Sequence, residues 1–280
     1  MLIFTVIILF ISFVMRKRNK SLQYKIRKRF LFYLLLFSVL SFGNMQAQQK
    51  FTIVAAANLK VALDSINNVF KIQNPGINPQ ITYGASGKFY EQISSGAPFD
   101  LFFSADMDYA NKLENKKMTA SKVKMYAVGK LVIWSKKMDP NKAKMNSLLD
   151  ASIRKIAIGN PSTAPYGEKA VECLKFYKIY DKVKNKLVFG DNITQATQFV
   201  TTGNADIGIT ALSLVLTPNM QKEGGKYYII PEKSHSSLEQ GCVVLKHGKD
   251  NANTVKFYNF ISSKKAIAIL KYYGYDTKAK

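Results

Sequence analysis

The chain has 280 residues, of which 47% are hydrophobic, enough to bury a large core and too apolar a composition for a disordered protein. It carries 41 basic and 18 acidic residues, a formal charge of +23. The lysines are scattered through every segment, so the charge implies a mild preference for anions and excludes a focused nucleic-acid surface.

The first 47 residues differ from the rest. Leu2 to Met15 is apolar, Arg16 to Arg29 is basic, and "FLFYLLLFSVLSF" is apolar again. The second block has the layout of a secretory signal: a basic start at Lys25, Arg27, Lys28 and Arg29, an apolar middle, and the small residue Ala47 in "NMQA" ahead of Gln48. Met15 opens the basic stretch and is the expected translation start, which makes residues 1–14 an extension. The alternative is an N-terminal membrane hairpin, although each apolar run falls short of the roughly 20 residues a span needs. No Cys lies near the cleavage point, so a lipoprotein anchor has no support. Removing residues 1–47 takes away eight basic and no acidic residues, leaving 33 basic against 18 acidic and a charge of +15.

From Phe51 onward, short apolar runs alternate with helical periodicity: "FTIVAA" then "LKVALDSINNVFKIQN", "INPQITY" then "KFYEQISSG", "FDLFFSA" then "MDYANKLENKKM". This alternation predicts an open, largely parallel sheet flanked by helices. After "YAVGKLVIWSKK" the pattern restarts with "LLDASI", "KIAIGN", a helix from about Tyr166 to Tyr177, "KLVFGD", a helix from Ile193 to Thr202, and "ADIGITAL". The chain is therefore two α/β units. Its tail returns to strands in "YYIIPE" and "GCVVLKHG", then closes with the helical patterns "TVKFYNFISS" and "KKAIAILKYYG". Those two helices suit either unit.

Cys173 falls in a helical pattern and Cys242 in a strand-like one, which predicts two buried free thiols and no disulfide framework. His235 and His247 stand alone in polar loops and read as solvated.

Four strand-to-helix turns share a composition: "AAANLK", "YGASGK", "GNPSTAPYGEK" and "GDNITQ". A helix start leaves backbone N–H groups without partners and concentrates a partial positive charge, so small turn residues let an anion approach the backbone. In open α/β sheets such turns lie where ligands bind. Asn58, Ser86, Ser162 and Asn192 are also ordinary helix-capping residue types, and each alone reads as a cap. Four in one chain favour an anion site between the units.

No enzyme motif competes with this reading. A phosphate loop fails because Thr82 stands where its first Gly is required and Phe89 where its Ser/Thr is required. There is no G-x-S-x-G elbow, and "SKVK" lacks companion motifs. Asp100 and Asp106 flank a strand and read as a turn residue and a helix cap. The chain is expected to be a binding protein, not an enzyme.

The segments "FTIVAAANL", "ITYGASGKFYEQISSGAPFDLFFSAD", "IAIGNPSTAPYGEKAVECL", "VFGDNITQATQFVTTGNADIGIT" and "FYNFISSKKAIAILKYYGY", in that order, resemble the periplasmic molybdate-binding proteins of ABC importers. The resemblance covers nearly all of residues 51–275. It implies a two-lobed type II periplasmic-binding-protein fold, α/β throughout, with an open, mostly parallel sheet in each lobe and the ligand cleft between lobes. Lobe I is expected at 51–128 and 245–280, completed by the closing helices, and lobe II at 129–244, with hinge crossovers near 128 and 240.

The resemblance further implies capture of molybdate or tungstate, with another sulfate-like oxyanion or a membrane-anchored sensor as alternatives. It implies no cofactor, no direct protein–metal ligand, an inner-membrane permease as partner, a periplasmic location and a monomer. Its oxyanion ligands map onto Asn58, Ser86, Tyr166 and Ile193, the last two through backbone N–H. Ala211 stands where some members place a Tyr hydroxyl, so either Tyr166 or a further N–H substitutes or the site has one donor fewer. Lys88 reads as solvated.

Neutral donors suffice for such an ion, since each hydrogen bond to a charged group contributes roughly 1.5–3 kcal/mol. A cavity of donors without acceptors also disfavours a protonated oxyanion such as phosphate, and the longer metal–oxygen bonds of molybdate fill space that sulfate leaves slack.

Overall fold

A computed structural model of the chain describes residues 50–277. The expected extension and signal peptide lie outside the described residues. Among the described residues, no helix is long and apolar enough to cross a membrane.

The first sheet has the order β2-β1-β3-β10-β4, built from β1 (Thr52–Ala56), β2 (Gln80–Gly84), β3 (Leu101–Phe103), β4 (Lys124–Val128) and β10 (Glu239–Val244). The second has the order β7-β6-β8-β5-β9, from β5 (Leu131–Ser135), β6 (Ile156–Gly159), β7 (Leu187–Gly190), β8 (Ile207–Ala211) and β9 (Lys226–Ile229). In each sheet four strands run in one direction and a single strand, β10 in the first and β5 in the second, runs against them, so each is a mixed sheet in which most strands are parallel. The antiparallel pairs arise where the chain crosses between sheets and re-enters from the opposite end. Both faces of the central strands are covered, and β1, β3, β5 and β6 accordingly read as continuous apolar runs.

Helices of eight residues or more are α1 (Lys60–Gln73), α2 (Ser86–Ser94), α3 (Asp108–Asn115), α4 (Pro165–Phe176), α5 (Ile193–Thr201), α6 (Ala252–Phe260) and α7 (Lys264–Tyr272). The buried positions of α1 are Ala62, Leu63, Ile66, Asn67 and Phe70, a three-to-four spacing that turns one stripe to the sheet. Phe257 of α6 packs edge-on against Phe70 at 4.9 Å and Phe51 at 6.0 Å, and Ala266 and Leu270 of α7 join the same core. The closing helices thus belong to the first sheet's lobe. "LLDASI" is no strand: residues 144–149 form a 3-10 turn.

The chain crosses between lobes at residues 128–131 and 229–239. Because β10 pairs with β3 and β4, residues 239–244 belong to the first lobe, and the boundary expected at 244 falls near 238 instead. At this crossover Gly129 N–H donates to Leu238 O at 2.9 Å, while Val128 and Asp276 exchange backbone hydrogen bonds at 2.6 and 3.0 Å. Three segments therefore run side by side between the lobes.

Cys173 and Cys242 are both free and buried. Burial pushes their thiols up, to about 11 and about 12 respectively. Of the histidines, His247 is exposed as expected while His235 is partly buried. His247 Nδ1 lies 2.6 Å from Asp100 Oδ1, and His235 keeps Nδ1 at 2.8 Å from Ser236 O with Nε2 buried. The partner of His247 is thus remote in sequence, whereas that of His235 is the carbonyl of the next residue.

Candidate anion-binding site

All four turns meet at one cavity. Ala56, Ala57 and Asn58 line it from the first turn, Gly84, Ala85 and Ser86 from the second, Ala164, Pro165 and Tyr166 from the third, and Asn192 and Ile193 from the fourth, with Ala105 after β3. The space they enclose is far smaller than a drug-sized ligand needs and leaves room only for a very small species. None of these lining residues carries a charge. Among the described residues, no group of three or more His, Cys, Asp or Glu could hold a metal ion.

The positive character comes from helix starts. Ser86 is the first residue of α2, Ile193 the first of α5, and Tyr166 follows Pro165 at the start of α4. N–H groups in a first turn have no acceptor within their own helix, and the aligned peptide dipoles add partial positive charge. Pro165 suits the first position because it has no N–H to satisfy and its φ is set for the helix.

Of the four side chains that read as caps, Asn192 acts as one, its Oδ1 accepting from Gln195 N–H at 3.1 Å. The others do not. Ser162 is exposed and two residues short of the N-cap Ala164. Ser86 Oγ accepts from Ala105 N–H at 2.9 Å, an anchor that leaves its own proton to donate.

Asn58 is 2% exposed, and its Nδ2 donates to Gln240 Oε1 at 3.1 Å and Tyr275 OH at 2.8 Å. Its Oδ1 is buried without a partner. The expectation of a cavity walled by donors thus meets one exception, a buried acceptor on a lining residue.

Tyr166 is 1% exposed and its hydroxyl accepts from Gln240 Nε2 at 3.0 Å. The same oxygen lies so close to Gly129 that any Cβ there would overlap it, which is why this crossover position is glycine. Ala211 is fully buried in the second lobe's core. Gln240 Oε1 also takes a hydrogen bond from Tyr126 OH at 2.9 Å, and Tyr275 OH donates to Asn58 O at 3.0 Å. Burial pushes the hydroxyls of Tyr126, Tyr166 and Tyr275 above the ordinary phenol range, so all three remain neutral and protonated.

The lobes touch around this cavity through polar contacts. Gly87 N–H donates to Thr163 O at 2.8 Å, Thr194 Oγ1 donates to Ala57 O at 3.1 Å, and Ser213 Oγ donates to Asn58 O at 3.1 Å. Lys88 is not free in solvent: its ammonium pairs across the cleft with Asp191 at 3.0 Å. Asp106 behaves as a cap, accepting from Tyr109 N–H at 3.0 Å, whereas Asp100 accepts from Thr52 N–H at 2.6 Å and pins the start of β1.

Gln240, Tyr126, Tyr275 and Ser213 had no local signature. A lone Gln inside the apolar strand "EQGCVV" was the available hint, since a fully buried amide needs partners.

Residues 51–276 match the family model described as bacterial extracellular solute-binding protein. A molybdate-binding protein of Rhodobacter capsulatus is 35% identical over 225 residues, 80% of this chain and 86% of the relative. One of Azotobacter vinelandii is 36% identical over 224 residues, 80% of this chain and 88% of the relative. The solved periplasmic molybdate-binding protein of Azotobacter vinelandii superposes with a TM-score of 0.75 at 31% identity, covering 82% of this chain and all of that one. Fold, converging helix starts and sequence likeness agree: the chain belongs to the bacterial extracellular solute-binding proteins and, within them, to the family of the molybdate-binding proteins.

Proposed function

We propose that this protein captures molybdate or tungstate between its lobes and delivers it to an ABC permease of the inner membrane. The observation that carries the reading is the convergence of four strand-to-helix turns on one small, uncharged cavity. Ser86 donates through Oγ and N–H, and Asn58, Tyr166 and Ile193 through N–H. Each would meet an oxygen of the ion, and no cationic side chain is needed because hydrogen bonds to a charged acceptor are among the strong ones.

The contacts between lobes describe a closed cleft, the form a permease would distinguish from an open one. The protein acts as an exported monomeric carrier without enzymatic turnover or a resident cofactor, its signal removed before Gln48. Titration calorimetry with molybdate, tungstate, sulfate and phosphate tests the ligand. Sulfate binding as tightly as molybdate defeats the size argument. Mass spectrometry of the exported protein tests the processing, and a chain retaining residues 1–47 would favour an anchored sensor.

A further inference from the structure

Trp134 is the only tryptophan of the chain. It is 1% exposed, and its indole N–H has no acceptor among the described residues. A buried indole N–H ordinarily finds a hydrogen-bond partner, so one left over marks a place where something outside the chain completes the bond.

The ring sits on β5, in one apolar cluster with Val132, Val200 and Val215 of the second lobe. Its nitrogen edge faces Gly225: a Cβ built there would lie 2.8 Å from Nε1 and 3.0 Å from Cε2. Any side chain at 225 would therefore cover the N–H, and glycine leaves it open. Gly225 also holds φ +92, a conformation that suits glycine.

Trp134 and Gly225 line one cavity of about 620 Å3, within the range that holds small organic ligands. Residues of β9 and of the short helix Pro218–Glu223 form its walls, and it shares no lining residue with the oxyanion cavity. Val215, Met220 and Ile229 give it apolar surface, and Ile229 is 47% exposed, an area its own lobe leaves uncovered. Lys226 is the one charged residue among those lining it, is exposed, and makes no ion pair among the described residues.

We propose that this cavity is a second binding site, taking a small organic carboxylate with an apolar body. The carboxylate accepts from Trp134 N–H, Lys226 supplies the countercharge, and the body rests on Met220 and Ile229. A hydrogen bond to a charged acceptor is stronger than one to a neutral group, and it satisfies the unpaired donor. A bare inorganic oxyanion would satisfy the donor and leave the apolar wall wet. The site stands apart from the cleft and does not rest on the oxyanion reading.

The test is NMR of the protein labelled at its tryptophan nitrogens, which gives a single indole N–H resonance. Benzoate, the probe, is expected to move that resonance downfield and to saturate with a Kd of about 0.1–1 mM. Benzyl alcohol and benzylamine carry the same ring with a neutral or a cationic head, and sulfate has no apolar body; each is expected to bind at least about tenfold more weakly. Lys226→Gln, at an exposed position, should weaken benzoate about 3- to 10-fold, less as salt is raised. Trp134→Phe keeps a ring and loses the N–H, and should cost at least about tenfold by titration calorimetry, with thermal unfolding to confirm the fold.

An indole resonance unmoved at about 10 mM benzoate, some ten times the weakest expected Kd, overturns the proposal. So does benzylamine or sulfate binding as tightly as benzoate, or Trp134→Phe binding it as wild type does. Should Trp134→Phe not fold, the indole resonance of wild type and of Lys226→Gln decides, and an unchanged benzoate affinity in Lys226→Gln counts against the site.

Discussion

Ile193 offers a way to delete one backbone donor and little else. It is the first residue of α5, where proline is tolerated because that N–H has no intrahelical partner. The preceding Asn192 already holds φ −147 and ψ 174, the extended conformation that a following proline requires. Ile193→Pro therefore keeps the helix and the Asn192 cap while removing the N–H proposed as a ligand. Losing one hydrogen bond to a dianion costs roughly 1.5–3 kcal/mol, about 10- to 150-fold in affinity. The side chain of Ile193 is 3% exposed and belongs to the second lobe's core, so some stability is lost as well. Ile193→Val supplies the control: it trims the side chain but keeps the N–H, and should bind molybdate within about threefold of wild type. Calorimetry on both variants, with thermal unfolding to confirm that each is folded, measures the difference. Ile193→Pro binding as tightly as Ile193→Val would refute the assignment of this N–H as a ligand.

A Cβ at Gly87 would lie 2.9 Å from both the Cα and the O of Thr163, so Gly87→Ala should hold the lobes apart and weaken binding about 5- to 150-fold, while thermal stability without ligand holds or rises because Ala favours the helix. The Lys88–Asp191 pair is roughly half exposed on the lysine side and more on the aspartate side, so Lys88→Ala should cost less than about fivefold in affinity, shrinking further as salt is raised in the titration. Burial works to raise the Asp206 carboxyl, but the Lys137 ammonium and the N–H groups of Lys155 and Arg154 outweigh it and hold it at about 2. Its contribution is present above the unfolded value near 3.8 and lost as pH falls through about 2, so Asp206→Asn should cost about 1–3 kcal/mol at pH 7 in urea melts, a deficit that fades below pH 4.

The four turns were legible in the sequence because each is local: a strand, a few small residues and a helix start lie within a dozen positions, and period alone marks them. The strands from "FTIVAA" to "GCVVLKHG" were legible for the same reason, although which strand in each sheet runs against the others was not. Sheet order depends on where the chain crosses between lobes, and a crossover such as Val128 to Leu131 looks like any other polar turn. The polar network beneath the cavity was illegible for a different reason. Asn58 finds Gln240 at 182 residues' separation and Tyr275 at 217, and no spacing rule links residues so distant. The capping reading of Asn58 and Ser86 failed because tertiary partners outcompeted the local backbone for their polar atoms.

The segment after α7 turns back beneath the cavity, where Tyr275 reaches Asn58 and Asp276 bridges Val128. The lining residue Asn58 thus leans on a side chain 217 positions further along, so the strands of the first lobe do not complete the site by themselves. A protein cut just ahead of Tyr275 would lose the hydroxyl against which Asn58 is set.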